Sequence, residues 1–91
     1  MVARLDDWTP SRRGGLHVRG IEDDIVVLDA ANGRMHSLNP TAAFIFESID
    51  GRKTEAEISR CVADTFEVGF DVAERDTRNC IEKFREEKLV V

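Results

Sequence analysis

The stretch IVVLDAANGRMHSLNPTAAF, residues 25–44, decides how this chain folds. Ile25-Val26-Val27-Leu28 is short, β-branched and apolar on both alternating sets of positions, the pattern of a strand in the middle of a sheet. Asn32-Gly33 follows, and both central residues of a type I′ turn need positive φ, which these two adopt most easily. The reading is therefore a two-residue hairpin returning through Arg34-Met35-His36-Ser37-Leu38. It sets Ala31 opposite Arg34, Asp29 opposite His36 and Val27 opposite Leu38. A slip of one residue would turn every side chain to the other face. Asn39-Pro40-Thr41 then opens a helix, because Asn caps well and Pro at the first helical position forfeits no hydrogen bond.

Upstream, Leu16-His17-Val18-Arg19-Gly20-Ile21 alternates, with Leu16, Val18 and Gly20 on one side and His17, Arg19 and Ile21 on the other. It predicts a first strand, joined to the second by a turn at Asp23-Asp24. Residues 1–15 carry Pro10, Ser11, Gly14 and Gly15 and read as a flexible arm preceding a domain over 16–91. Trp8 is the exception, either docked on the body or a lone exposed aromatic. Downstream, Ala42, Ala43, Ile45, Phe46 and Ile49 form the first helix's apolar stripe, ended by Asp50-Gly51. Thr54 with Glu57 is a capping box, and Ile58, Cys61, Val62 and Phe66 form the second stripe. Asp71 with Glu74 is an acidic cap signal for a third helix, whose stripe is Thr77, Cys80, Ile81 and Phe84. The expected fold is α+β and winged-helix-like: a three-stranded antiparallel sheet followed by three helices, with the hairpin as the wing.

Size and charge narrow the function. Ninety-one residues make one small core. No apolar run approaches the roughly 18 residues of a membrane span. The N-terminus has charges where a signal peptide has its apolar stretch, so the expected location is cytoplasmic. The net charge of −5 divides unevenly: residues 1–20 carry four Arg and two Asp, leaving nine bases and sixteen acids in the remainder. A nucleic-acid binder needs a basic footprint. The helix a winged-helix DNA regulator would use carries Asp71, Glu74, Asp76, Glu82, Glu86 and Glu87 against five bases, and pairs such as Glu74–Arg78 suit a solvated face. No nucleophile elbow, phosphate loop or paired metal-ligand spacing is present, so no catalytic residue, metal or cofactor is expected. Cys61 and Cys80 read as small core residues.

An unprotected edge points elsewhere. The strand 34–38 ends a three-strand meander, and Met35, His36, Ser37 and Leu38 lack the charges or prolines that usually blunt an edge. With the third helix alongside, edge and helix would form a groove where an extended peptide adds as a fourth strand. The competing expectation is an edge covered by the N-terminal arm. A generic protein-interaction module would use the same groove. Both faces of residues 25–28 are apolar, so the second face calls for a cover: the arm, a partner, or another copy in a homodimer.

The run DIVVLDAANGRMHSLNPTAAFIFESIDGRKTEAEI, residues 24–58, resembles the PqqD-like family, the archetype of recognition domains in pathways to ribosomally made, post-translationally modified peptides. The likeness lies in the apolar strand, the Asn-Gly hairpin, Leu38 through Ala43, the Asp50-Gly51 stop and Thr54 to Ile58. Asp76, Ile81, Phe84 and Leu89 fit the family's last-helix spacing. The turn Ala31-Asn32-Gly33 replaces the Pro-Glu-Gly-like turn of members tied to pyrroloquinoline quinone, and Lys88 stands where the family often has Gly. Lasso-peptide members often carry an aromatic where Met35 stands. The resemblance implies a non-catalytic chaperone that holds the leader of a precursor peptide as an added strand and presents it to a modifying enzyme, often a radical S-adenosylmethionine protein. It places the peptide on Arg34, Met35, His36, Ser37 and Leu38, facing helix residues Asp76, Asn79, Cys80 and Lys83.

Overall fold

In the computed structural model, which describes residues 8–22 and 24–91, three strands precede three helices. The strands are β1 (Leu16–Ile21), β2 (Asp24–Asp29) and β3 (Arg34–Leu38), antiparallel in the order β1-β2-β3. The helices are α1 (Pro40–Ser48), α2 (Glu55–Phe66) and α3 (Phe70–Glu86). The α+β class, the central place of residues 25–28 and the element order are as the sequence implies. Asp23, half of the expected first turn, lies outside the described residues, as do residues 1–7 of the arm.

The hairpin differs from the two-residue reading. Residues 30–33 form a four-residue connection, a single 3₁₀ turn over Ala30–Asn32 closed by Gly33 at φ 64°. Asp29 sets it: Oδ1 accepts from Asn32 N at 3.4 Å and Oδ2 from Asn32 Nδ2 at 2.9 Å. The pairing is therefore Asp29–Arg34, Val27–His36 and Ile25–Leu38. This shifts β3 by two positions from the expected register. Because the side-chain period is also two, the faces survive. Leu16, Val18, Gly20, Ile25, Val27, Asp29, Arg34, His36 and Leu38 share the side on which the helices pack.

That side carries the core. Val27, Ile45, Phe46, Ile49, Ile58, Val62, Ile81, Phe84 and Leu89 are buried together, with Phe46 and Phe84 edge-to-face at 5.3 Å between ring centres. Asn39 caps α1 by accepting from Ala42 N at 2.8 Å, and the Thr54–Glu57 box starts α2. α3 departs from expectation. Its N-cap is Gly69, with no side-chain cap bond, and Asp71 lies inside the first turn, where its charge suits the positive end of the helix dipole. Cys61 and Cys80 are half-buried rather than core residues, each at the margin of its helix's apolar face. On the opposite sheet face no helix packs among the described residues; Val26 is buried between its register neighbours Arg19 and Ser37, while Met35 and Ile21 are exposed.

The arm is tied down from Pro10 to Arg13. Ser11 and Val91 exchange backbone hydrogen bonds, Arg13 N donates to Leu89 O at 2.9 Å, and Gly51 N donates to Pro10 O at 2.9 Å. Gly51 sits at φ 79°, where a side chain is strained, and a Cβ there would lie 2.7 Å from Ser11 Oγ, so the Ser11 hydroxyl would have to turn away. The Arg85 guanidinium lies over the Trp8 ring, 5.1 Å from its centre, so of the two alternatives open for that residue the structure has it docked. The segment thus lies along the C-terminus and the α3 side, not along β3.

Lys88, at the family's glycine position, takes φ 61°. A left-handed non-glycine residue carries steric strain that glycine lacks. Lys88→Gly is expected to stabilise the domain by about 1 kcal/mol, raising Tm by about 4–8 °C in a thermal melt.

Candidate functional site

β3 closes the sheet, and among the described residues no strand pairs with its outer side. α3 runs beside it. Between them lies an open groove of about 400 Å³. Met35, His36, Ser37 and Leu38 form one wall and Cys80, Lys83, Phe84 and Glu87 the other, while Asn39 and Ala42 at the start of α1 close one end. Six sequence-proposed residues thus meet in one depression: Met35, His36, Ser37, Leu38, Cys80 and Lys83. Asp76 and Asn79 line an adjoining hollow with Asn39, Thr41 and Cys80, so they extend the same surface along α3. Arg34 lies outside both, at the hairpin end opposite Asp29.

Asn39, Ala42, Phe84 and Glu87 also line the groove and were not anticipated there. Glu87 was within reach: Asp76, Cys80 and Lys83 step by four and three along one helix face, and the next step is Glu87.

The groove lining mixes apolar and polar groups. Leu38 and Phe84 are buried beneath the floor, and Met35 is 65% exposed at the strand's margin. Burial, and then the charge of Asp76, push the Cys80 thiol up from its ordinary value against the opposing effect of Lys83. A thiol held protonated is a small apolar surface rather than a nucleophile. At the other end His36 Nδ1 and Glu87 Oε2 are 2.7 Å apart, which ties strand to helix. His36 Nε2 is buried with no hydrogen-bond partner among the described residues. Lys83 and Glu87 give the groove one charge of each sign.

The remainder of α3 offers little to nucleic acid. Arg78 lies 3.4 Å from Glu55 and 3.9 Å from Glu74, and Arg75 lies 3.6 Å from Asp76. Among the described residues no helix is long and apolar enough to cross a membrane.

An antiparallel three-stranded sheet with an open last strand, three helices behind it and a groove between last strand and last helix defines the structural class: winged-helix-like domains with a vacant sheet edge. The family model described as coenzyme PQQ synthesis protein D (PqqD) matches residues 24–90, and the chain belongs to that family. Solved structures share the fold. A lasso peptide synthetase B1 complexed with its leader peptide superposes with a TM-score of 0.79 at 24% identity, over 91% of this chain and 98% of the other. TbiB1 in complex with the TbiA(beta) leader peptide gives 0.76 at 20% identity, over 88% and 93%. The PqqD truncation of Methylobacterium extorquens PqqCD, a stand-alone recognition element for ribosomally synthesised and post-translationally modified peptides, gives 0.76 at 20%, over 90% and 87%. No curated protein matches the chain.

Proposed function

We propose that this domain binds the leader segment of a precursor peptide as a fourth strand on β3 and delivers the attached core to a modifying enzyme, with no catalysis of its own. The observation that carries the reading is the unpaired β3 edge facing Cys80, Lys83 and Glu87 across the groove. Main-chain hydrogen bonds along β3 supply affinity that tolerates sequence, and alternate side chains of the added strand enter the groove and supply specificity. Two similar folds are complexes with leader peptides and a third is a stand-alone recognition element, which supports the same role here. The enzyme that receives the peptide is proposed to be of the radical S-adenosylmethionine class, as the family likeness implies.

The test is a titration of the isotope-labelled domain with candidate leader peptides. Amide shifts in an NMR spectrum are expected to be largest over residues 34–38 and the second half of α3. Shifts of comparable size spread over α2, with β3 silent, would refute the proposal.

A further inference from the structure

The sheet has a second open margin. β1 lies at the other end of the strand order, and among the described residues no strand pairs with its outer side. Here the helix layer falls short. Val18 is on the helix-facing side of the sheet yet is 38% exposed, and Gly20, on the same side, contributes no side chain. Beside them is a cavity of about 320 Å³ whose walls include Arg12, Gly14, Gly15, Leu16, Val18 and Phe46. A bare glycine and an uncovered valine on an edge strand mark a place where another backbone approaches.

Charge identifies the occupant. Arg12 and Arg19 are exposed along this margin, with the Arg12 guanidinium 5.6 Å from the centre of the Phe46 ring. Arg13 is engaged by Asp29, and the acid nearest along the chain is Glu22 at the far turn. This is the basic end of a chain whose remaining residues are strongly acidic. A second copy fits badly: antiparallel pairing of two β1 strands would bring two such basic margins together, Arg12 and Arg19 on each, and like charges set against one another are destabilising. An extended segment with acidic side chains is matched by the same residues.

We infer that the β1 margin docks an acidic extended segment of the modifying enzyme, added as a strand with an apolar side chain over Val18 beside the Gly14-Gly15 turn. Naming the enzyme as the source rests on the peptide-delivery reading above; the preference for an acidic strand does not. Leader and enzyme then occupy opposite margins of one five-stranded sheet, about 19 Å apart at the usual strand spacing, and do not compete.

The test uses a capped seven-residue probe of alternating Glu with Val or Thr, and its Lys-for-Glu counterpart, each titrated into the isotope-labelled full chain at low salt. The acidic probe is expected to shift amides of Leu16–Ile21 and Arg12–Gly15, with affinity about five-fold or more above the basic probe. Arg19→Glu, at an exposed position, is expected to abolish that preference and leave leader affinity unchanged. Equal response to both probes, shifts confined to β3 and α3, or β1 shifts that grow with protein concentration alone, which would mark a second copy, each overturn the inference. Failure of a leader to bind the wild-type chain would instead defeat the delivery reading, and the two probes would still decide the acidic-strand site.

Discussion

Cys80→Trp is expected to lower leader affinity about 30-fold or more in isothermal titration while leaving the circular dichroism spectrum and Tm near wild type. The large effect follows from where Cys80 sits. It is half-buried on the wall of α3 that faces β3, and it borders both the groove and the hollow at Asp76 and Asn79. An indole there occupies the space that an added strand's side chains need. Blocking the centre of a small interface removes about 2 kcal/mol or more. The fold is spared because the groove is open to solvent, so the ring has somewhere to go. The same substitution at neighbouring Ile81, 2% exposed, would overpack the core. Cys80→Ser is the control. It removes the thiol and keeps the shape, so binding is expected to persist within about three-fold. Full affinity in Cys80→Trp would place the leader elsewhere than this groove.

The same residue shows how far the amino-acid sequence reveals the site. Its helical spacing from Asp76 and Lys83 identifies the face of α3 that meets the strand, but not the depth of the thiol, which depends on how closely α3 approaches β3. The order of elements, the caps at Asn39 and Thr54 and the faces of all three strands are written in local patterns, and local patterns decided them. The hairpin was misjudged because Asn32-Gly33 alone suggests the shortest turn. The deciding group is Asp29, whose carboxylate holds Asn32 and lengthens the connection to four residues. That interaction needs a buried position at the end of β2, which no dipeptide signal reports. The docking of Pro10–Arg13 is similarly hidden, since its partners lie far along the chain, at Gly51 for Pro10 and at Leu89 and Val91 for Arg13 and Ser11. The α3 start at Gly69 was misplaced for another reason: Asp71 has the right chemistry for a cap and lies two residues too far on.

Asp29→Ala is expected to be the most destabilising substitution of an acidic residue in the domain, lowering Tm on the order of 10 °C. Asp29 is 1% exposed, and its carboxylate meets Arg13 Nη2 at 2.6 Å as well as Asn32. One side chain thus joins the end of β2, the turn that sets the register of β3, and the arm that pairs with the C-terminus. Removing it strands the Arg13 charge against the sheet, where Arg13 Nε already lacks a partner among the described residues. Arg13→Gln should be milder, and the double variant should lose less than the sum of the two, because Arg13 is harmful only when Asp29 is gone. The pH dependence separates this from simple loss of packing. The Asn32 hydrogen bond first, and then Arg13, hold the Asp29 carboxyl below its ordinary 3.8 against the opposing effect of burial. A depressed carboxyl stabilises the fold fully above its unfolded value, and that contribution vanishes as pH falls through the folded one. Asp50, held at about 2 chiefly by Lys53 and the Arg52 backbone, adds the same dependence in both proteins. Wild type should therefore lose Tm steeply below about pH 4 while Asp29→Ala falls less, so that the two melting curves converge in acid. A gap between them that stays constant from pH 7 to pH 2 would mean that the carboxylate's charge is not what holds the arm, the turn and the β3 register together.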